Sequence, residues 1–276
     1  QSSFALNLKY QLSDKLFSNY LAMPHKFYLE NNTANLLRNI GLINYSSAII
    51  EEVLKITTEI LVIVTLSIFL IIISPSATIS ILILFSFIFI TIYILTKGKL
   101  KKWGNLIKET EATRIKHLKD GFELNREIKI TNSQNYFLNN YLKQIDIQNK
   151  AMFKSKILSF GTKYLVELMV VISVIIFVYS IFYNSLNLNL NLPILAVIGA
   201  IGLRLFPSLN RIISSTQFIR TYYSMMSKLT EELLNTSEEK NIFMKNIKKK
   251  IIKKSITLEN INQKFHDKNF EIKNLN

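Results

Sequence analysis

The sequence predicts an all-α membrane protein whose C-terminal residues begin a separate, strand-containing domain. Three observations carry this reading. Residues 60–96 are 37 consecutive positions without a charge, and 168–203 are 36 more. A helix needs about 20 apolar residues to cross ~30 Å of hydrocarbon, so each block is long enough for two crossings joined by a turn. After Ser255 the apolar spacing changes from helical to alternating. A soluble all-α core is the competing reading, and two uncharged blocks of this length argue against it.

The N-terminal stretch places Phe4, Leu8, Leu12, Leu16 and Tyr20 four apart, one face of a helix over residues 1–22. Met23-Pro24 ends it. Asn31, Asn32 and Thr33 offer caps for a short helix over about 34–40. A new helix is expected from about Tyr45, carrying Glu51, Glu52, Lys55 and Glu59 into the first apolar block.

Ser74-Pro75-Ser76 splits that block, and the asparagine-rich stretch Asn184–Pro193 splits the second. Proline fixes φ and lacks a donor, which suits a helix start after a turn. The result is two helical hairpins, hence four spans. Between them, the helical pattern runs from Ala77 to about Leu118 without a proline and resumes from about Gln134 to Tyr183. At 1.5 Å per residue these helices are roughly 60 and 75 Å long, so they project about 25–40 Å beyond the bilayer. Asp120-Gly121 reads as the turn between them. After the last span a polar helix is expected to about Asn235, then a basic linker over 236–254 with six lysines between Lys245 and Lys254. Strands are expected at Ile256–Ile261 and Phe270–Leu275, turning at Asp267-Lys268-Asn269.

Basic residues set the orientation. Of the 34 Lys and Arg, five fall in 1–59, fifteen in 97–167 and fourteen in 204–276, and the two turns carry none. Cytoplasmic segments are the ones enriched in Lys and Arg, so the turn tips face outward. The formal net charge of +15 then belongs to the cytoplasmic side of a membrane protein, not to a nucleic-acid-binding surface. The absence of cysteine excludes a disulfide framework and thiolate metal sites. His25, His117 and His266 lack metal-ligand spacing. The chain opens on Gln1 and stops at Asn276 inside what reads as an element, so it is expected to be part of a longer one.

One stretch, Arg204-Leu-Phe-Pro-Ser-Leu-Asn-Arg211, conflicts with a plain lipid-facing helix. A charge in the membrane costs several kcal/mol unless it faces a cavity or a partner. Arg204 lies about twelve residues into a final span counted from Leu192, and Pro207 permits a kink. The expectation is that Arg204 and Arg211 attract a phosphate-bearing headgroup, whose oxygens suit the guanidinium fork. The structural alternative pairs Arg204 with Glu167. Glu59 is read as no more than an interfacial carboxylate.

The order of elements resembles the type I exporters of the ATP-binding cassette (ABC) family: short cytoplasmic helix, hairpin, long cytoplasmic loop, hairpin, linker, strand-turn-strand. Residues 23–40 look like the first intracellular loop, Gly121–Ile130 like the second and 204–212 like the sixth span, with wording most similar to bacterial lipid-linked oligosaccharide flippases. The resemblance implies a transmembrane domain at 1–235 holding about the last four and a half of six spans, a linker at 236–254 and the start of a nucleotide-binding domain at 255–276. It implies coupling helices near 27–37 and 119–129, with Phe27, Tyr28, Asn31, Gly121, Phe122 and Glu123 at the contact. It places Phe265 where the family has an aromatic stacking on adenine. ATP and Mg2+ are the implied cofactors, and a second copy is the implied partner. A bacterial cytoplasmic membrane is the implied location. The implied activity is ATP-driven flipping of a lipid-linked glycan or other glycolipid; export of a peptide or small hydrophobic compound is the alternative within the family. No G-x-x-x-x-G-K-[ST] occurs in this stretch, so ATP hydrolysis would rest on residues beyond it. A membrane-anchored sensor, or a channel or scaffold without ATPase activity, is the competitor from another class.

Overall fold

The computed structural model describes residues 2–73, 75–184, 188–246, 261–264 and 271–275. The chain forms two units, Gln1–Lys240 and Asn241–Asn276. The first is helical: α1 (Ser2–Leu21), α2 (His25–Glu30), α3 (Thr33–Ile73), α4 (Pro75–Glu123), α5 (Asn125–Ile130), α6 (Gln134–Asn184) and α7 (Leu188–Asn246), whose last turn belongs to the second unit. The second unit also holds β1 (Ile261–Lys264) and β2 (Glu271–Leu275), an antiparallel pair in which Gln263 faces Ile272, with an irregularity between Ile261 and Gln263. Most of the predicted first strand, and Phe265, lie outside the described residues.

The long helices are unbroken. With 49, 51 and 59 residues, α4, α6 and α7 run about 74, 77 and 89 Å, against ~30 Å of hydrocarbon. Two helices among the described residues are long and apolar enough to cross a membrane, within Thr33–Ile72 and Ile81–Glu123. Only 17% and 22% of their most apolar windows is buried inside the protein. A soluble core helix would bury most of such a window, so these faces belong against lipid. Much of the second uncharged block lies outside the residues whose side chains are described.

Four boundaries differ from the sequence reading. The short helix precedes the Asn31-Asn32-Thr33 caps, at α2, and no break separates 34–40 from Tyr45. Gly41 costs a helix about 1 kcal/mol, but Leu42 and Ile43 beside it are almost fully buried, which offsets that. Next, α4 continues through Asp120-Gly121 to Glu123, and the turns fall at Leu124 and Thr131–Ser133. There Asn132 takes φ 53°, while Ser133 N–H reaches the Ile128 carbonyl at 3.1 Å, the left-handed closure that asparagine tolerates. At the outer turn α7 begins at Leu188, five residues ahead of Pro193. It then passes Pro207 without interruption and runs to Asn246, well into the stretch predicted as a linker.

Two apolar clusters hold the first unit together. One joins Leu70 of α3, Phe85, Ile88 and Ile92 of α4, Val166 of α6 and Ile201, Leu205, Leu209 and Ile213 of α7. Its members come from the uncharged blocks and the residues just before or after the second of them. The other lies toward the charged ends and joins Leu16, Tyr20, Phe27, Leu36, Leu42, Ile43, Ile107, Ala151, Met225 and Leu229, so every helix except α5 contributes. Between them α4 and α7 nearly touch: a Cβ on Gly104 would collide with the Thr221 carbonyl. Only glycine permits that approach.

Candidate functional site

Two regions collect the functional side chains, and the first is the seam between α3 and α7. On α7, Arg204, Ser208, Arg211 and Ser215 recur at four, three and four residues, which places them on one face. Glu52, Lys55 and Glu59 form the matching stripe on α3, with spacings of three and four. The stripes run antiparallel and meet twice. Ser215 Oγ donates to Glu52 Oε2 at 2.6 Å, and Glu52 Oε1 takes Lys55 Nζ at 2.8 Å. Two turns nearer the apolar block, Arg211 Nη1 donates to Glu59 Oε1 at 2.6 Å.

The two ends of this seam differ. At Glu52 both carboxylate oxygens are bonded. At Glu59 only one is. The Ser208 hydroxyl also faces the Glu59 carboxylate, yet its hydrogen bond goes to the Arg204 carbonyl at 3.4 Å. Glu59 Oε2 is left buried without a hydrogen bond. The arginine side is open: the Arg211 side chain is 56% exposed, against 11% for its carboxylate partner.

Arg204 is exposed and makes no ion pair or side-chain hydrogen bond among the described residues. The alternative partnership with Glu167 is not formed. Arg204 does add to the positive field at Glu59. Counted from Leu188, it lies sixteen residues into α7, about 24 Å along the axis, farther from the start of the helix than the count from Leu192 suggested. The site therefore sets two guanidinium groups, about 10 Å apart along the axis, against one carboxylate.

Below the seam, α7 crosses α4 and α6 through polar contacts. Gln217 Nε2 donates to Thr162 Oγ1 at 3.1 Å, and Ser155 and Thr221 share a hydrogen bond at 3.3 Å. The Arg220 guanidinium carbon sits 3.3 Å from the centroid of the Tyr93 ring, and its Nη1 donates to the Tyr93 carbonyl at 3.2 Å. On the neighbouring pair of helices, Gln148 of α6 donates to Glu111 of α4 at 2.6 Å, and Arg114 holds the other oxygen at 2.7 Å.

The second region is the tip formed by α2, α5 and their flanks. Phe27 is buried and packs its ring 6.2 Å from that of Tyr20, so it anchors α2 instead of presenting it. The Tyr28 hydroxyl donates to the Tyr20 carbonyl at 2.6 Å. Asn31 closes α2, its Nδ2 donating to the Phe27 carbonyl at 3.0 Å. Asn32 Oδ1 then accepts from Ala34 N–H at 2.9 Å and from Lys119 Nζ at 3.1 Å, which ties the α2–α3 turn to the end of α4. Gly121 is an ordinary helical residue of α4, and Glu123 ends that helix 3.5 Å from Lys119 Nζ. Phe122 is 79% exposed. Leu29, Leu124 and Ile130 are exposed apolar residues of the same tip that the sequence reading did not single out. Their signal was an apolar side chain in, or just before, a helix of only six residues.

Tyr20 joins this tip to the long helices. Its hydroxyl donates to Glu232 Oε1 of α7 at 2.9 Å and accepts from Asn39 Nδ2 of α3 at 3.2 Å. Burial, ahead of the neighbouring Glu232 carboxylate, holds its phenol well above the ordinary tyrosine range, so it remains a donor. Asn19 adds bonds to Ser237 at 3.0 Å and from Lys240 at 3.2 Å. The turn before α2 is thus joined to the end of α7 through bonded groups.

Unbroken helices that overrun a bilayer more than twofold, joined at their far end to short helices, define a membrane domain that extends well past the lipid phase. The family model for the ABC transporter transmembrane region matches residues 4–205, and the chain belongs to that family. Among solved structures, a bacterial Atm1-family ABC exporter with ATP bound superposes with a TM-score of 0.66 at 13% identity, over 84% of this chain and 41% of that one. This establishes the type I exporter fold for the helical unit. The chain spans about two fifths of the length of that exporter. No curated protein matches. Among the described residues no group of His, Cys, Asp and Glu could hold a metal ion.

Proposed function

We propose that this chain is half of the membrane-spanning machinery of an ATP-driven exporter that flips an anionic, phosphate-bearing lipid by alternating access, with a lipid-linked glycan or other glycolipid as the preferred substrate class. Two copies would complete the translocation path. Residues 255–276 would open the nucleotide-binding domain, with Phe265 against adenine, and ATP with Mg2+ would be held there. The tips at α2 and α5 would rest on those domains, through Tyr28, Phe122 and the exposed apolar residues beside them. Closure of the domains on ATP would tilt the tips, and α4, α6 and α7 would carry the movement into the bilayer as rigid rods. The hairpin turns would face outward from a bacterial cytoplasmic membrane.

The observation that carries the substrate class is Arg204: an exposed guanidinium without a partner among the described residues, on the face that also carries Arg211. An unpaired charge at this depth is retained where it has a ligand to meet. A charge-assisted hydrogen bond is worth roughly 1.5–3 kcal/mol, which is at least about tenfold in affinity. Arg204→Ala in the full-length protein, reconstituted with a phosphate-bearing lipid, should therefore lower lipid flipping and lipid-stimulated ATP hydrolysis by at least about tenfold. Unchanged flipping would remove Arg204 from the substrate site.

A further inference from the structure

The Glu59–Arg211 contact raises a question that its distance alone does not answer. A buried carboxylate normally satisfies both oxygens, because an unmet acceptor forfeits its solvation without return. Glu52, seven residues earlier on the same stripe, does so with Ser215 and Lys55. Glu59 gives one oxygen to Arg211 and leaves the other buried and unmet. The arginine it holds is the open partner, and the next cation along that face, Arg204, has no partner among the described residues. This end of the seam holds its carboxylate by one oxygen only, and an incoming anion can reach it from the arginine side.

We infer that Glu59 is an internal counter-anion that occupies Arg211 while the site is empty, and that a headgroup with at least two negative charges displaces it, untying α3 from α7 at this level. The inference rests on the site reading proposed above and deepens it. A phosphodiester, with one charge, is met by Arg204 alone and leaves the Glu59–Arg211 pair intact. A phosphomonoester or pyrophosphate needs both guanidinium groups. Once it bridges them, a second anion next to Glu59 repels the carboxylate, whose second oxygen has no hydrogen bond to hold it. The Glu52–Ser215 contact stays closed below, so α3 pivots on it instead of leaving the bundle. Loading is thereby converted into a change in the spacing of two long helices, and charge number becomes the selected property.

This chain contains no cysteine, so a pair introduced at Leu61 and Ser214, both exposed, labels α3 and α7 specifically within it. The full-length protein would be reconstituted in phosphatidylcholine vesicles alone, with phosphatidic acid, with phosphatidylglycerol, or with soluble pyrophosphate. The readouts are the label-to-label distance by pulsed electron resonance and the lipid-stimulated ATPase rate. Phosphatidic acid should lengthen the distance and phosphatidylglycerol should not. A response to pyrophosphate as well shows the site open to the cytosol, and a response to phosphatidic acid alone shows it reached from the membrane; either supports the inference. Glu59→Gln should show the longer distance without any anion and reach half-maximal stimulation at about tenfold less phosphatidic acid. The wild-type distances keep the test valid if that variant fails to fold. If Arg204→Ala abolishes the phosphatidic acid response while the wild-type distance never changes, the site reading stands and the counter-anion role is wrong. An equal response to phosphatidylglycerol overturns the charge requirement and the inference with it. If neither Arg204→Ala nor Glu59→Gln alters the response to phosphatidic acid, both readings fall together.

Discussion

The apolar level and the charged level of this bundle solve the same packing problem in opposite ways. Around Tyr20, polar groups that enter the core are bonded on several sides: its hydroxyl meets Glu232 and Asn39, and Asn19 meets Ser237 and Lys240. Around Glu59 the core is nearly all apolar, one oxygen of that carboxylate has no hydrogen bond, and Arg204 has no partner among the described residues. A fully bonded network resists deformation, because any displacement strands a buried donor or acceptor. A half-bonded one exchanges partners at little cost. On the function proposed above, the difference would separate a part that transmits force from a part that responds to a ligand.

The largest effect that would break this contrast is expected at the close approach of α4 and α7. Gly104→Ala places a methyl group into the Thr221 carbonyl, and backbone cannot swing aside as a flexible side chain would. Overpacking of this kind costs typically 1–3 kcal/mol, occasionally more, against a gain of about 1 kcal/mol in helix propensity. The clash should win, giving a lower unfolding temperature in detergent and weaker coupling of ATP hydrolysis to transport. Gly121→Ala is the matched comparison. Nothing lies within 4 Å of its added Cβ and the residue is helical, so only the propensity gain remains and stability should rise by about 0.5–1 kcal/mol. A loss at Gly121 would mean that Asp120-Gly121 is a turn after all.

Tyr20→Phe should come next. It removes one hydroxyl and strands two partners, Glu232 Oε1 and Asn39 Nδ2, in a partly buried setting, at about 1–3 kcal/mol. Because the same residue links α2 to α7, ATPase activity in the full-length protein should become less responsive to transported lipid, not only less stable to heat. A thermal shift without any change in that response would confine Tyr20 to packing.

Much of this frame is legible in the sequence because it depends on local signals. The start of α6 at Gln134, and its end within one residue of the predicted Tyr183, follow from uninterrupted helical spacing and an asparagine-rich stop. The overrun beyond the bilayer needed only a count of residues without proline. What stayed hidden depends on partners far along the chain. Glu59 reads as an interfacial carboxylate until Arg211, 152 residues away, is seen opposite it. Phe27 reads as a contact residue until Tyr20 and the buried cluster enclose it. Asp120-Gly121 carries a turn propensity, but α4 is held on both sides of it, with Lys119 bonded to Asn32 and Leu124 N–H to the Asp120 carbonyl. Tertiary contacts overrule a dipeptide preference worth only about 1 kcal/mol.

The smallest effect is the one that tests whether bonded polar groups matter by number or by burial. Asp146 and Lys150 form an ion pair at 2.6 Å, as short as the Arg211–Glu59 contact, yet both side chains are more than half exposed. Water competes for each charge and salt screens them, so exposed pairs contribute about 0–1 kcal/mol. Asp146→Asn should therefore leave the unfolding temperature and the lipid-stimulated ATPase rate within experimental error, despite the short distance. Glu111, bonded at 2.6 and 2.7 Å by Gln148 and Arg114 on a much less exposed carboxylate, supplies the contrast within the same pair of helices. Glu111→Gln should lower stability measurably, because it replaces an anion by an amide between a partly buried guanidinium and an amide donor. If Asp146→Asn proved as costly as Glu111→Gln, bond length would matter more than burial, and the division of this bundle into a rigid and a responsive level would lose its physical basis.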